Sequence, residues 1–349
     1  MKSFASDNYA GAIPEVIASL INENNLHAPA YGNDQTTSSL KKSFASILNR
    51  EQLSMYLVFN GTGANLLGLS CMVDPFSSVL CAETAHIYVD ESTAPETLMG
   101  CRLLPLKVDN QGKLSVDIIE KSIKRQGDLH HPQAKVLSIA QPTEYGTLYT
   151  LDELQKLGEL TRRYKLLFHI DGSRIFTAAT ALGCELKDII AASDVDVISI
   201  GGTKAGMLYG EAVLIFNPIC SEKAPFLHKR SMQLASKNRF IAAQFLALLH
   251  QKTWQKYSSI ALARTKKLAN TLKKYPQITL TKPVEVNAIF ATMPAPWIPL
   301  LQEEFSFYTW DESIHEVRLM CSFDTLEDEI ERFDKKLSLL NKESLSSYL

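Results

Sequence analysis

Short apolar runs alternate along the chain with longer stretches in which apolar residues recur every three or four positions. The runs at 56–59, 78–81, 103–106, 135–139, 166–170, 194–200 and 211–216 are too short for helices, which predicts buried strands. Helical spacing over 14–24, 39–49, 66–72, 115–125 and 151–164 places helices between them, with Pro14 suited to a first helical turn. A further helix begins within 83–91. Strand and helix in alternation describe an α/β chain. The pattern then changes. Residues 240–272 carry apolar side chains at Phe245, Leu248, Leu249, Trp254, Ile260 and Leu262, and are expected to form one long helix bridging two domains. Alternating runs at 286–292 and 316–321 with a closing helix at 326–340 predict a small α+β domain. The expected division is 1–245 for a large domain and 246–349 for the small one.

Composition narrows the class without naming it. A net charge of −2 gives no reason to expect nucleic acid or an anionic membrane as partner. The cysteines Cys71, Cys81, Cys101, Cys184, Cys220 and Cys321 have no metal-finger or C-x-x-C spacing and read as buried, reduced thiols of a cytoplasmic protein. The first residues lack a signal-peptide core, and no run reaches membrane-spanning length. His130 and His131 lie in a loop without a partner at metal-ligand spacing, so they are taken as solvated and no metal is expected.

Candidate chemistry concentrates at the ends of two strands. The run 194–200 leads into Gly201-Gly-Thr-Lys204, where glycines permit a tight turn and a close ligand, and a lysine held there is partly desolvated toward the neutral amine. The run 166–170 leads into Asp171-Gly-Ser-Arg174, an acid and a base at another strand end. That strand end, with its acid and base, and a lysine able to attack an aldehyde together suggest pyridoxal 5'-phosphate. A third strand ends in Asn60-Gly-Thr-Gly-Ala-Asn65, and the backbone N–H groups of Gly61 and Thr62, with the Thr62 hydroxyl, form a phosphate cradle at the helix start. Neither the P-loop nor the dinucleotide fingerprint fits this turn.

The series Ala5-Ser-Asp7, Asn60-Gly-Thr-Gly-Ala-Asn65, His86, His169-Ile-Asp-Gly-Ser-Arg174, Gly201-Gly-Thr-Lys204 and Arg318 resembles the threonine aldolase family, within the aspartate-aminotransferase-like enzymes of fold type I. The resemblance implies a mostly parallel seven-stranded sheet with a smaller C-terminal α+β domain. It also implies a lyase that breaks the Cα–Cβ bond of threonine or a related β-hydroxy amino acid. Lys204 would bind the cofactor, Asp171 would face its ring nitrogen, and His86 would stack on the ring near the substrate hydroxyl. Arg318, Arg174 and Ser6 would hold the substrate carboxylate, with the cofactor's phenolic oxygen as a second target for Arg174. Tyr31 lies in a loop that reaches toward the site in the family. Arg230, or Lys229 beside it, would reach the phosphate, often that of a neighbouring subunit. One departure stands out: better-known relatives carry histidine where this chain has Glu144, leaving Glu144, His86 or a water to take the hydroxyl proton. Homodimers or homotetramers with shared sites are the implied assembly. Other pyridoxal phosphate reactions (β-elimination, transamination, racemisation) and a non-catalytic or nucleotide-binding α/β protein are the competing readings.

Overall fold

The computed structural model describes residues 2–346. Seven strands form the main sheet in the order Ser54–Val58, Glu211–Ile215, Val197–Gly201, Leu167–Asp171, Gln133–Ala140, Ser77–Ala82 and Arg102–Leu106. Only Glu211–Ile215 runs against its neighbours; it is antiparallel to both Ser54–Val58 and Val197–Gly201, while the remaining pairs from Val197–Gly201 outward are parallel. The fold is therefore the mostly parallel α/β sheet expected. Its strands Ser77–Ala82, Val197–Gly201 and Glu211–Ile215 are buried on both faces, as in a sheet covered by helices. Asp171 and Gly201 lie at the carboxyl edge of the parallel strands, and the reversed strand delivers Glu211 to that same edge, in register with Gly201.

A second sheet orders Tyr308–Asp311, Glu316–Met320, Ala288–Thr292 and Thr279–Leu280, all antiparallel. Its core includes Leu268, Leu272, Ile289, Leu319, Phe333 and, from the far end of the chain, Phe4. Phe4 packs on Phe305 and Phe333 with ring centroids 5.8 and 5.4 Å away. The segment around it is threaded between strands: Phe4 N–H donates to Ser306 O at 2.7 Å, and Met320 N–H donates to Phe4 O at 2.7 Å. This threading carries Asp7 to the junction with the large sheet.

The expected long helix is two helices, Arg239–Leu249 and Thr253–Leu272. Between them Gln251 and Lys252 adopt positive φ of 46° and 57° without a glycine to announce it. The break lets Trp254 stay in the large core while Leu268 and Leu272 enter the small one. The basic link at 229–237 is preceded by a helix absent from the sequence reading, Pro218–Arg230. Its prolines argue against helix, yet Pro218 sits in the first turn and Asn217 Oδ1 caps Ile219 N–H at 3.0 Å. The helix expected to begin in 83–91 is a single turn, His86–Val89.

Candidate active site

Lys204 sits in a one-turn helix, Thr203–Ala205, directly after the strand Val197–Gly201. Glycine is obligatory before it: a Cβ at Gly201 would collide with the Ser173 carbonyl, and one at Gly202 with Met207 and the Gly210 carbonyl. The Lys204 amine lies below its usual pKa, first because the Arg174 charge opposes its protonation and next because it is desolvated, against the pull of Asp7, Asp171 and Glu144. Lysine, three carboxylates and an arginine thus share one field.

Asp171 ends the neighbouring strand and is 7% exposed. Its Oδ1 accepts from Ser173 N–H at 2.9 Å and Ser173 Oγ–H at 2.5 Å, and its Oδ2 accepts from Asn65 Nδ2–H at 2.7 Å. Burial raises its pKa, but these donors and Lys204 outweigh burial and hold it below the ordinary carboxylate value. Asn65 belongs to the helix Gly61–Ser70, which starts earlier than its apolar run because Asn60 Oδ1 caps Gly63 N–H at 2.8 Å. The same Asn65 nitrogen donates to Glu91 Oε1 at 2.9 Å, and that oxygen meets His86 Nδ1 at 2.9 Å. With acceptors on both sides, Asn65 must turn its nitrogen toward them, and its Oδ1 stays buried without a partner. The bond to Glu91 is the main reason His86 sits above its ordinary pKa; burial opposes it, and Glu144 and Asp171 add to it. Glu91 therefore fixes the ring's orientation, keeps the Nδ1 proton in place and leaves Nε2 for other work.

Across the cleft Arg174 forms a two-pronged pair with Asp7, Nε to Oδ2 at 2.7 Å and Nη2 to Oδ1 at 2.9 Å. Asn287 Nδ2 donates to Asp7 Oδ2 at 3.1 Å. Burial alone would raise the Asp7 pKa, yet the Arg174 charge and hydrogen bonds bring it down to about 2. Arg318, in the strand Glu316–Met320, is clamped between aromatic faces, its guanidinium 5.2 Å from the Tyr308 ring centre and 4.9 Å from that of Trp310. Its Nη2 donates a long 3.4 Å bond to Ala5 O, and its Nε is buried with no acceptor. Desolvation and the Arg174 charge push its pKa down, so a cation with an unused donor lies within the field of a second cation. Glu144 is lifted above the ordinary carboxyl range by burial and by Asp171, against Arg174, Lys204 and His86. Among the described residues no hydrogen bond ends on its carboxylate.

Ser6 caps the one-turn helix Asp7–Tyr9, and Gly61 and Thr62 open the helix Gly61–Ser70. The Ser6 Oγ accepts from Asn8 N–H at 3.2 Å, and a Cβ at Gly61 would lie 3.8 Å from Ser173 Oγ, close to the Asp171 clamp. Two other residues lie elsewhere in the single chain. Tyr31 is 51% exposed, at φ 58°, with Lys229 Nζ 5.0 Å above its ring. Arg230 lines a surface cleft with Ser70, Val73 and Met99, next to the Ser70 end of the Gly61–Ser70 helix and opposite its Gly61 end. Gln233 fills the nearer position: its Oε1 accepts from Phe59 N–H at 3.0 Å, and its side chain lies within 2.6 Å of where a Gly63 Cβ would stand.

The donor set suits a flat, anionic-tailed cofactor with an aldehyde. A buried acid, an amine with lowered pKa and the N–H groups opening a buried helix converge, and the Arg318 Nε is buried without an acceptor. Residues 3–295 match the model of the β-eliminating lyases. The chain belongs to the β-eliminating lyase family. Within this family it is 38% identical over 328 residues to the low specificity L-threonine aldolase of Pseudomonas aeruginosa, covering 93% of each protein. It is 32% identical over 181 residues to the Escherichia coli K12 low specificity L-threonine aldolase, about half of each protein. The structure of Leishmania major threonine aldolase superposes with a TM-score of 0.92 at 26% identity, covering 97% of this chain and 99% of that one. The histidinol-phosphate aminotransferase of Clostridium acetobutylicum, at 14% identity and TM-score 0.73, shares the fold. The resemblance drawn from the motifs thus holds for this family member.

Ser173, Asn287, Asp7, Asn65 and Glu91 contribute to the site without a role expected from sequence. Asp7 and Asn65 lay inside quoted motifs, so position could have pointed to them. Glu91 carried no signal except its spacing of five from His86, which a single helical turn followed by a bend converts into a contact.

Proposed function

We propose that this chain is an aldehyde-lyase that splits the Cα–Cβ bond of β-hydroxy-α-amino acids, with threonine giving glycine and acetaldehyde, and that it uses pyridoxal 5'-phosphate held at Lys204. The observation that carries the reading is the convergence of Lys204 and the clamped Asp171 on one sheet edge, facing two arginines with spare donors. When bound, the cofactor supplies a conjugated ring that accepts the electron pair released as the Cα–Cβ bond breaks. Asp171, kept ionised by its hydrogen bonds, would keep a proton on the ring nitrogen. Gly61 and Thr62 would hold the phosphate with backbone N–H groups, and His86, fixed by Glu91, would cover the ring face.

Arg318 would offer the substrate carboxylate its unpaired Nε, while two hydrogen bonds to Asp7 hold Arg174 in place. Holding the carboxylate fixes rotation about the amino acid's Cα–N bond, which selects the bond that breaks. Glu144 takes the β-hydroxyl proton, directly or through one water. Burial raises its proton affinity above that of an ordinary carboxylate, as a base needs, and it is the site carboxylate left free of hydrogen bonds among the described residues. The experiment is product analysis with threonine, allo-threonine, phenylserine and serine at saturating cofactor. Glycine plus the matching aldehyde is expected; an α-keto acid or ammonia with no glycine would replace this reading with transamination or β-elimination.

An exposed apolar patch supports a further reading, of assembly. Phe59 stacks on Tyr209 with centroids 6.0 Å apart, and both are 40% exposed beside Leu208 and Met232 at 51% and 83%. Exposed apolar surface of this kind is what a second copy would cover, and Arg230 faces away from its own cradle. A homodimer or homotetramer acting in the cytoplasm is the assembly inferred. Light scattering that returned a mass of one 38.9 kDa chain at micromolar concentration would rule it out.

A further inference from the structure

Behind Lys204 lies a carboxylate that the chemistry above does not use. Glu211 opens the one reversed strand of the main sheet, opposite Gly201 on one side and Val58 on the other, and is 6% exposed. Its Oε2 accepts from Gly202 N–H at 2.6 Å, and the Thr203 hydroxyl is hydrogen-bonded to the same carboxyl group. Thr203 Oγ1 in turn accepts from Gly210 N–H at 3.1 Å, so one acid ties both ends of the turn that carries Lys204. Among the described residues it forms no ion pair. The charged groups acting on it are Lys204 and Asp171.

A buried neutral acceptor could tie Gly202 without the desolvation cost that a carboxylate carries. Keeping an ionisable acid here makes sense if its charge is used, and the charge it faces is Lys204. We propose that Glu211 is the positioning residue for Lys204: its hydrogen bonds present the turn, and its negative charge holds the proton on the lysine nitrogen. The inference rests on the assignment of Lys204 as the reactive amine. Burial raises the Glu211 pKa to about 7, so the charge is withdrawn within the physiological range, and with it the support for the lysine proton.

The test reads the amine directly, in the full chain without added cofactor. Acetylation of Lys204 by limiting acetic anhydride, followed by mass spectrometry across pH, yields the midpoint at which the free amine appears. Glu211→Gln should lower that midpoint by on the order of one pH unit, since an opposite charge nearby is removed. Glu211→Asp, which keeps the charge, should stay close to the wild type. A Gln variant with the wild-type midpoint and only a lower melting temperature would reduce Glu211 to a structural tie and overturn the proposal. Where the Gln variant does not fold, the wild-type profile decides. Below about pH 7, where Glu211 becomes neutral, labelling should fall less than the tenfold per pH unit of an isolated amine; a strict tenfold decline through that window overturns the proposal too. Absence of visible absorbance when pyridoxal phosphate is added to the wild type would defeat the functional assignment instead, and leaves the labelling result standing on its own.

Discussion

Lys204→Ala is expected to abolish glycine formation from threonine, a loss of about four orders of magnitude or more, as when a residue that reacts covalently is removed. The visible absorbance of cofactor joined to the protein should vanish with it. The expectation follows from the setting of this amine. Its charge acts on Asp171, Glu144 and Asp7 together, and its pKa is depressed by Arg174 and burial. The fold should survive, because the Lys204 side chain makes no hydrogen bond among the described residues. Spectra and melting curves of the purified variant check both halves. A folded variant that kept the absorbance, or more than a few per cent of the rate, would move the reactive amine elsewhere.

Asp7→Ala should cost about 3–5 kcal/mol of stability, because it leaves the buried Arg174 guanidinium without its bidentate partner. The pH dependence has a definite sign. The Asp7 pKa falls on folding from an ordinary 3.8 to about 2, so the ionised form favours the folded state. Its contribution, about 2 kcal/mol, is fully present above about pH 4 and is lost as the pH drops toward 2. Denaturant unfolding of wild type and variant at neutral pH and through the acid range measures it. Equal stability at neutral pH, or a difference between the two proteins that does not shrink on acidification, would show that Arg174 finds its stabilisation elsewhere.

How far the site was legible depended on distance along the chain. Asp171, Arg174 and Lys204 were readable because each follows a buried strand within a few residues, and strand ends in a parallel sheet meet at one edge. The contact between Arg174 and Asp7 joins residues 167 positions apart, and no local pattern encodes it. It exists because Phe4 is pulled into the small core between Phe305 and Phe333. Glu144 was flagged as a departure, but its isolation from hydrogen bonds appears only once its neighbours are placed. The helix break at Gln251 and Lys252 escaped notice because left-handed residues there are neither glycine nor asparagine.

The order of strands and helices, the α/β class and the motifs at the strand ends are properties of the sequence alone, because burial period and turn chemistry act over a few residues. The reversed strand that brings Glu211 beside Gly201 and Gly202 at the start of the Lys204 turn, the Asn65 bridge between Asp171 and Glu91, and the pairing of Arg174 with Asp7 were decided by the tertiary structure. Each requires that segments remote in sequence be packed together before their charges can feel one another, and only then does burial turn ordinary side chains into groups with shifted proton affinities.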